Sequence, residues 1–130
     1  MPQDIDRLVK ASKKAIAFSS PLYSGFRVGA ALLSGDGRLF TGCNIENASL
    51  TLSVCAERVA LLKALSEGAT DLKAIAIACA TEEPCYPCGS CRQMLFEYAP
   101  GIKILLPSRR SITVLGLKEL LPMPFIKEAP

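Results

Sequence analysis

Apolar residues at Ile5, Leu8, Val9, Ala15 and Ile16, with Lys and Arg between them, recur at helical spacing and predict an amphipathic helix over 3–18. Ser19-Ser20-Pro21 ends it. The pattern then changes period. Residues 26–33 read as a strand, Ser34-Gly35-Asp36-Gly37 as a hairpin turn, and Arg38 to Asn44 as the returning antiparallel strand. A second helix is predicted from a Ser53 cap to about Glu67, stopped by Gly68. Its Val54, Ala56, Val59, Ala60, Leu61, Leu62, Ala64 and Leu65 are apolar nearly all round, so it should be buried. Residues 72–80 form a short apolar run suited to an interior strand. A third helix over about 89–98, a strand at Lys103–Leu106, a short strand at Ile112–Val114 and a helical turn over Gly116–Leu121 complete the series, and Pro122 and Pro124 prevent regular structure beyond it.

The alternation of strand and helix in the middle of the chain argues for an α/β fold, a mixed sheet covered by helices. Residues 1–130 are the size of one domain, without repeat, linker or low-complexity segment. Half of the residues are hydrophobic (50%) and 21% are charged, enough for a packed core and against disorder. The formal charge is only +3, and the basic residues are scattered in pairs such as Lys13-Lys14 and Arg109-Arg110. That is a solvated surface and no nucleic-acid footprint. The first residues, Met1-Pro2-Gln3-Asp4-Ile5-Asp6, show no signal-peptide pattern, and no apolar window reaches the roughly 18 residues of a membrane span. The chain reads as cytoplasmic, with no membrane partner. Thiols stay reduced there, so a Cys-x-x-Cys points to metal binding or catalysis before disulfides.

The chain has six cysteines and no histidine. Cys55-Ala56-Glu57 and Pro87-Cys88-Gly89-Ser90-Cys91 together offer three corners of a zinc tetrahedron, built from thiolates because the commonest alternative ligand is missing. Cys55 is expected in the first turn of the second helix, and Cys88 and Cys91 at the start of the third. Helix N-termini favour thiolate over thiol. Three protein ligands leave a fourth position for water, the mark of a catalytic site. Cys85-x-x-Cys88-x-x-Cys91 is a rival register, and Cys43, Cys79 or Cys85 could close a four-cysteine structural site instead. Glu57 tips the balance towards the open site, because a carboxylate beside the ion is useful as a proton shuttle and a structural zinc has no need of it. Arg58 either hydrogen-bonds a ligating sulfur, withdrawing negative charge from an ion made electron-rich by three thiolates, or forms an ordinary surface salt bridge.

The pairing of Cys-x-Glu with Pro-Cys-x-x-Cys resembles the signature of zinc-dependent nucleoside and nucleobase deaminases, and the chain as a whole resembles the small homotetrameric cytidine deaminases. The likeness extends over Tyr23-Ser24-Gly25-Phe26-Arg27-Val28-Gly29-Ala30-Ala31, Gly42-Cys43-Asn44-Ile45-Glu46-Asn47-Ala48-Ser49, Cys55-Ala56-Glu57-Arg58, Pro87-Cys88-Gly89-Ser90-Cys91-Arg92-Gln93 and Leu120-Leu121-Pro122 followed by Phe125. The resemblance implies a three-layer α/β/α fold with a five-stranded mixed sheet. It implies hydrolysis of cytidine and 2′-deoxycytidine to uridine and 2′-deoxyuridine plus ammonia. By it, Cys55, Cys88 and Cys91 bind Zn²⁺, Glu57 is the general acid/base, Asn44 and Glu46 hold the ribose 3′-hydroxyl, Phe26 packs on the pyrimidine, and Phe125 reaches in from a neighbouring subunit of a homotetramer. Cys43 is then a packing residue. From the residues alone, Asn44 and Glu46 alternate at a strand end and can offer one hydroxyl both a donor and an acceptor. A turn-capping Asn, a solvated Glu and a core Phe26 are the plainer alternatives.

Some positions depart from that pattern. Leu50 stands where Tyr is common, Leu22 intervenes between Pro21 and Tyr23, and Met123-Pro124 replaces small residues before Phe125. A blasticidin-type aminonucleoside deaminase shares the zinc motif, though Asn44-x-Glu46 favours a ribose. A nucleic-acid-editing enzyme would need a basic or aromatic strand path, and only three Tyr, five Phe and no Trp are available. An interaction module on a four-cysteine structural zinc is the alternative outside enzymology.

Overall fold

The computed structural model describes residues 2–128. The first helix, α1 (Pro2–Ala15), runs on through a 3₁₀ turn at Ile16–Phe18. Then come β1 (Val28–Ser34), β2 (Leu39–Cys43), α2 (Ala56–Ser66), β3 (Leu72–Cys79), α3 (Gly89–Tyr98), β4 (Lys103–Pro107), β5 (Ile112–Gly116) and α4 (Leu117–Leu120). The five strands form one mixed sheet in the order β2-β1-β3-β4-β5. β1 is antiparallel to β2 and β3, β3 is parallel to β4, and β5 returns antiparallel to β4.

β2 and β3 flank the same antiparallel neighbour, so they point the same way. α2 comes after β2 and α3 after β3. Both helices therefore begin at one edge of the sheet, just beyond the carboxyl ends of the strands, where open α/β sheets place their ligands. This is the topological reason that Cys55 and Cys88, 33 positions apart in the chain, meet.

The sheet is apolar on both faces. Val28, Ala30, Leu32, Ile75, Ile77, Cys79, Ile104 and Leu106 pack towards Ala56, Ala60, Leu61, Ala64 and Leu95 of α2 and α3. The alternate residues Ala31, Leu33, Ala74, Ala76 and Leu105 pack against Leu8 and Val9 of α1. The result is three layers, α1, sheet, then α2 with α3, and interior strands that read as continuous apolar runs because neither face meets water.

α2 departs from expectation at both its start and its faces. Ser53 does not cap it. A 3₁₀ turn at Leu50–Leu52 ends at Ser53, whose Oγ instead accepts the Asn47 N–H at 3.0 Å. The cap position falls to Cys55, in extended backbone at φ −69°, ψ 152°, so Cys55 precedes the first turn. Ala56, Glu57, Ala60, Leu61 and Ala64 are buried, whereas Leu62 is 45% exposed. The helix is thus buried on one side, since nothing within the described residues covers the other.

Gly42 fixes how closely α2 approaches β2. A Cβ built there would lie 2.6 Å from the Ala60 backbone nitrogen and also collide with the Ala56 carbonyl oxygen. Both atoms belong to the helix that carries the site. Gly42→Ala is expected to destabilise the chain by about 1–3 kcal/mol through forced backbone separation, read as a lower urea midpoint at constant slope. A midpoint matching the parent's would mean that the helix has room to yield.

Candidate active site

Two helix N-termini supply the sulfur cluster. Cys55 is the N-cap residue of α2 and Cys88 that of α3, both extended and neither making a side-chain capping bond. Each side chain thus projects past the helix end, where unpaired N–H groups and the positive pole of the helix dipole favour an anion. Cys91 lies in the first turn of α3, fully buried. The Cys55 and Cys88 sulfurs are 3.8 Å apart, those of Cys88 and Cys91 3.3 Å, and all three lie within 4.8 Å of one another. Zn–S bonds of about 2.3 Å in a tetrahedron put sulfurs about 3.8 Å apart, so the trio fits a zinc ion with little adjustment. Among the described residues, no fourth Cys, His, Asp or Glu joins the group.

The electrostatics suit a cation. The Cys91 thiol directed at Cys55, with help from Cys88 and the Arg58 guanidinium, pulls the Cys55 pKa down to about 5. That shift favours the thiolate, the form that ligates metal. The same bond pushes the Cys91 thiol up. Arg58 lies against the cluster: its Nη2 donates to the Ser53 carbonyl at 3.2 Å, the sulfurs of Cys55, Cys91 and Cys88 all act on its charge, and its Nε is buried without a partner. No carboxylate pairs with it among the described residues, so the surface salt bridge is not formed.

Glu57 is 5% exposed, and burial, joined by the Cys55 charge, holds its carboxyl above the usual carboxylate range. A carboxyl raised in this way holds a proton more readily than an exposed one, which suits a group that must both take and return one. Cys55, Glu57 and Cys88 line a cavity of about 300 Å³ together with Ser24, Asn44, Glu46 and Ser53 and the apolar Phe26, Val28 and Val54. The volume is at the lower limit for small-molecule sites, which pair apolar walls with a few placed polar groups.

Asn44 and Glu46 organise the segment that carries Phe26. Asn44 Oδ1 accepts from the Val28 N–H at 2.9 Å and from Ser19 Oγ, and its Nδ2 donates to the Phe26 carbonyl at 2.7 Å. Glu46 accepts the N–H groups of Tyr23 and Ser24 at 2.8 and 2.9 Å and the Ser24 hydroxyl. Those donors, the Ser24 hydroxyl first, hold its carboxyl below the ordinary range. One amide N–H of Asn44 and part of the acceptor capacity of Glu46 remain for a further partner. Phe26 is 42% exposed at the mouth of the cavity.

Other sequence candidates fall elsewhere. Phe125 is 71% exposed and lies on α3, outside this chain's own cavity, with Gln93 pairing its backbone: the Phe125 N–H donates to Oε1 at 3.0 Å and Nε2 donates to its carbonyl at 2.8 Å. Cys43 is half-buried at the end of β2, apart from the trio. Cys79 is buried and held by Thr81 Oγ1 and the Glu83 carbonyl. Cys85 lines the cavity but stands outside the three-sulfur cluster, contrary to the rival register, and burial pushes its thiol up to about 12. Arg92 belongs to the motif that carries the resemblance, but nothing in the sequence assigns it a role. Its Nε donates to the Pro87 carbonyl and its Nη1 to the Leu120 carbonyl, both at 2.7 Å, locking the metal loop to the C-terminal segment. Its one signal is its place after Cys91, which says nothing of a partner 28 residues away.

Residues 2–105 match the family described as the cytidine and deoxycytidylate deaminase zinc-binding region. Over 127 residues the chain is 45% identical to a cytidine deaminase of Halalkalibacterium halodurans, covering 96% of each chain. It is 42% identical to one of Sporosarcina psychrophila, covering 96% of this chain and 93% of that one. The crystal structure of a cytidine deaminase from Burkholderia pseudomallei is similar at a TM-score of 0.87 and 41% identity, covering 92% of this chain and 98% of the other.

Proposed function

The chain belongs to the cytidine and deoxycytidylate deaminase family, and from that premise we propose that it hydrolyses free cytidine and 2′-deoxycytidine to the uracil nucleosides and ammonia, in cytoplasmic pyrimidine salvage, with residues 1–130 acting as one catalytic domain. The observation that carries this reading is the meeting of three sulfurs at zinc spacing with a buried carboxyl of raised pKa in one small cavity.

Cys55, Cys88 and Cys91 would hold Zn²⁺, which would supply the Lewis acidity that makes a water a competent nucleophile at neutral pH. The other steps belong to Glu57. Its carboxylate takes a proton from the attacking water as oxygen bonds to the amino-bearing ring carbon, C4. It delivers that proton to ring N3, which keeps it. It then takes the remaining hydroxyl proton and passes it to the amino group, which leaves as ammonia while C4 becomes a carbonyl. One carboxyl serves throughout because each transfer regenerates it. Three thiolates around a divalent cation leave the centre net negative, and Arg58 beside Cys55 offsets that charge. Phe26 stacks on the pyrimidine, and the spare capacities of Asn44 and Glu46 bind the 3′-hydroxyl.

Incubating the zinc-loaded protein with cytidine should give the ultraviolet absorbance change of uridine formation. A flat trace with cytidine and deoxycytidine alike would sink the reading. A structural-zinc module is disfavoured by the three-membered cluster and by Glu57, since a closed site gains nothing from a buried carboxyl.

The active form in this reading is a homotetramer in which Phe125 completes a neighbour's cavity. Leu22, Leu50, Met123 and Phe125 are each more than 70% exposed, apolar side chains that contacts between chains would bury. Sedimentation is expected to show four chains. A fully active monomer contradicts the assembly.

A further inference from the structure

Two residues of the cavity wall, Cys85 and Tyr86, have no part in metal binding, proton transfer or sugar contact, yet they line the cavity together with Glu57 and Cys88. Their segment is stiff. Pro84 and Pro87 bracket the pair, fixing φ on either side, and Pro87 is fully buried. Cys85 packs on the same core cluster as Cys79, which is itself held to the Glu83 carbonyl at 3.3 Å. The segment is therefore a stiff part of the wall of the cavity that Glu57 and Cys88 also line.

In a cavity this small, a cytosine ring that presents C4 to Glu57 brings its exocyclic amine and the neighbouring C5 within reach of that wall. We propose that Cys85 and Tyr86 are specificity-determining residues, setting the largest substituent that the amine or C5 of a cytosine nucleoside can carry. The inference rests on the nucleoside reading of the cavity. In a site of about 300 Å³ a single carbon at a rigid wall counts, and one methylene in such a pocket changes relative specificity by roughly 10–200-fold.

The test compares kcat/KM for 5-methylcytidine and N4-methylcytidine, each relative to cytidine, in the parent, Cys85→Ala, Cys85→Leu and Tyr86→Ala. Tyr86 is 54% exposed, so its truncation spares the core even where a Cys85 variant folds poorly. The ratio is expected to rise about tenfold in the two truncated variants and to fall about tenfold in Cys85→Leu, for at least one analogue. Ratios within about threefold of the parent's in every variant, or shifts opposite to these, overturn the assignment while leaving cytidine deamination intact. A parent without cytidine turnover overturns the nucleoside reading itself and this inference with it.

Discussion

Glu57→Gln is expected to keep its zinc and its fold and to lose nearly all turnover. The amide matches the carboxyl in shape, so the first turn of α2 and the Cys55 cap beside it are undisturbed. Glu57 has no ion-pair partner among the described residues, and burial is the leading cause of its raised pKa. A neutral amide removes that burial cost, and stability should hold or rise slightly. What disappears is the proton carrier. Positioned acid–base groups contribute about 10²–10⁴-fold. In the proposed mechanism every proton transfer passes through this one carboxyl, so the loss should lie near the upper end, about 10⁴-fold in kcat. The measurement pairs metal analysis and a melting curve with the cytidine assay. Turnover close to the parent's, with zinc retained, would show that another group carries the protons.

Cys91→Ala tests the metal centre from the opposite direction. Cys91 is fully buried between the two helix starts, and without it Cys55 and Cys88 remain as a two-sulfur site. Zinc content should fall from one ion per chain to near zero and activity should vanish. Stability should fall as well, because an ion bound only by the folded chain contributes about 4 kcal/mol at a free concentration a thousandfold above Kd. Treating the parent with a chelator should lower its Tm in the same way and leave the Tm of Cys91→Ala unmoved. An active Cys91→Ala with one zinc per chain would mean that Cys85 or Cys43 replaces the missing sulfur, and the open three-cysteine geometry would be wrong.

The parts of this molecule legible in its sequence are those governed by local rules. The Ser34–Gly37 turn joins β1 to β2 as the hairpin signal predicts, and the apolar run at 72–80 is an interior strand, β3. The Cys-x-Glu and Cys-x-x-Cys segments do converge, as metal-ligand spacing suggests. Local rules mislead where two signals compete. Ser53 has the chemistry of an N-cap, but the 3₁₀ turn at Leu50–Leu52 engages it first, and a cysteine with poor capping chemistry takes the place. That exchange suits the site, since a sulfur tied to backbone N–H groups would be less available to an ion. The pairing of Ile45 with both Ser20 and Val54 is invisible in the sequence for a different reason. It joins segments distant along the chain through backbone alone, with no side-chain pattern to announce it. Arg92 and Gln93 belong to the same class through their bonds to Leu120 and Phe125, 28 and 32 residues away. Asn44 and Glu46 are legible as polar positions at a strand end, but their bonds to Phe26, Tyr23 and Ser24 are products of the fold.

The Gln93–Phe125 amide pair and the Arg92–Leu120 bond run one way in time. During synthesis the N-terminal part of a chain emerges first, so all three clustered cysteines leave the ribosome well before the tail that hooks onto α3. A prematurely ended or proteolytically clipped product lacking Phe125 therefore still possesses every sulfur required to capture an ion. Metal stoichiometry alone is consequently no gauge of intact product in a preparation, and mass determination of the C-terminus has to accompany it.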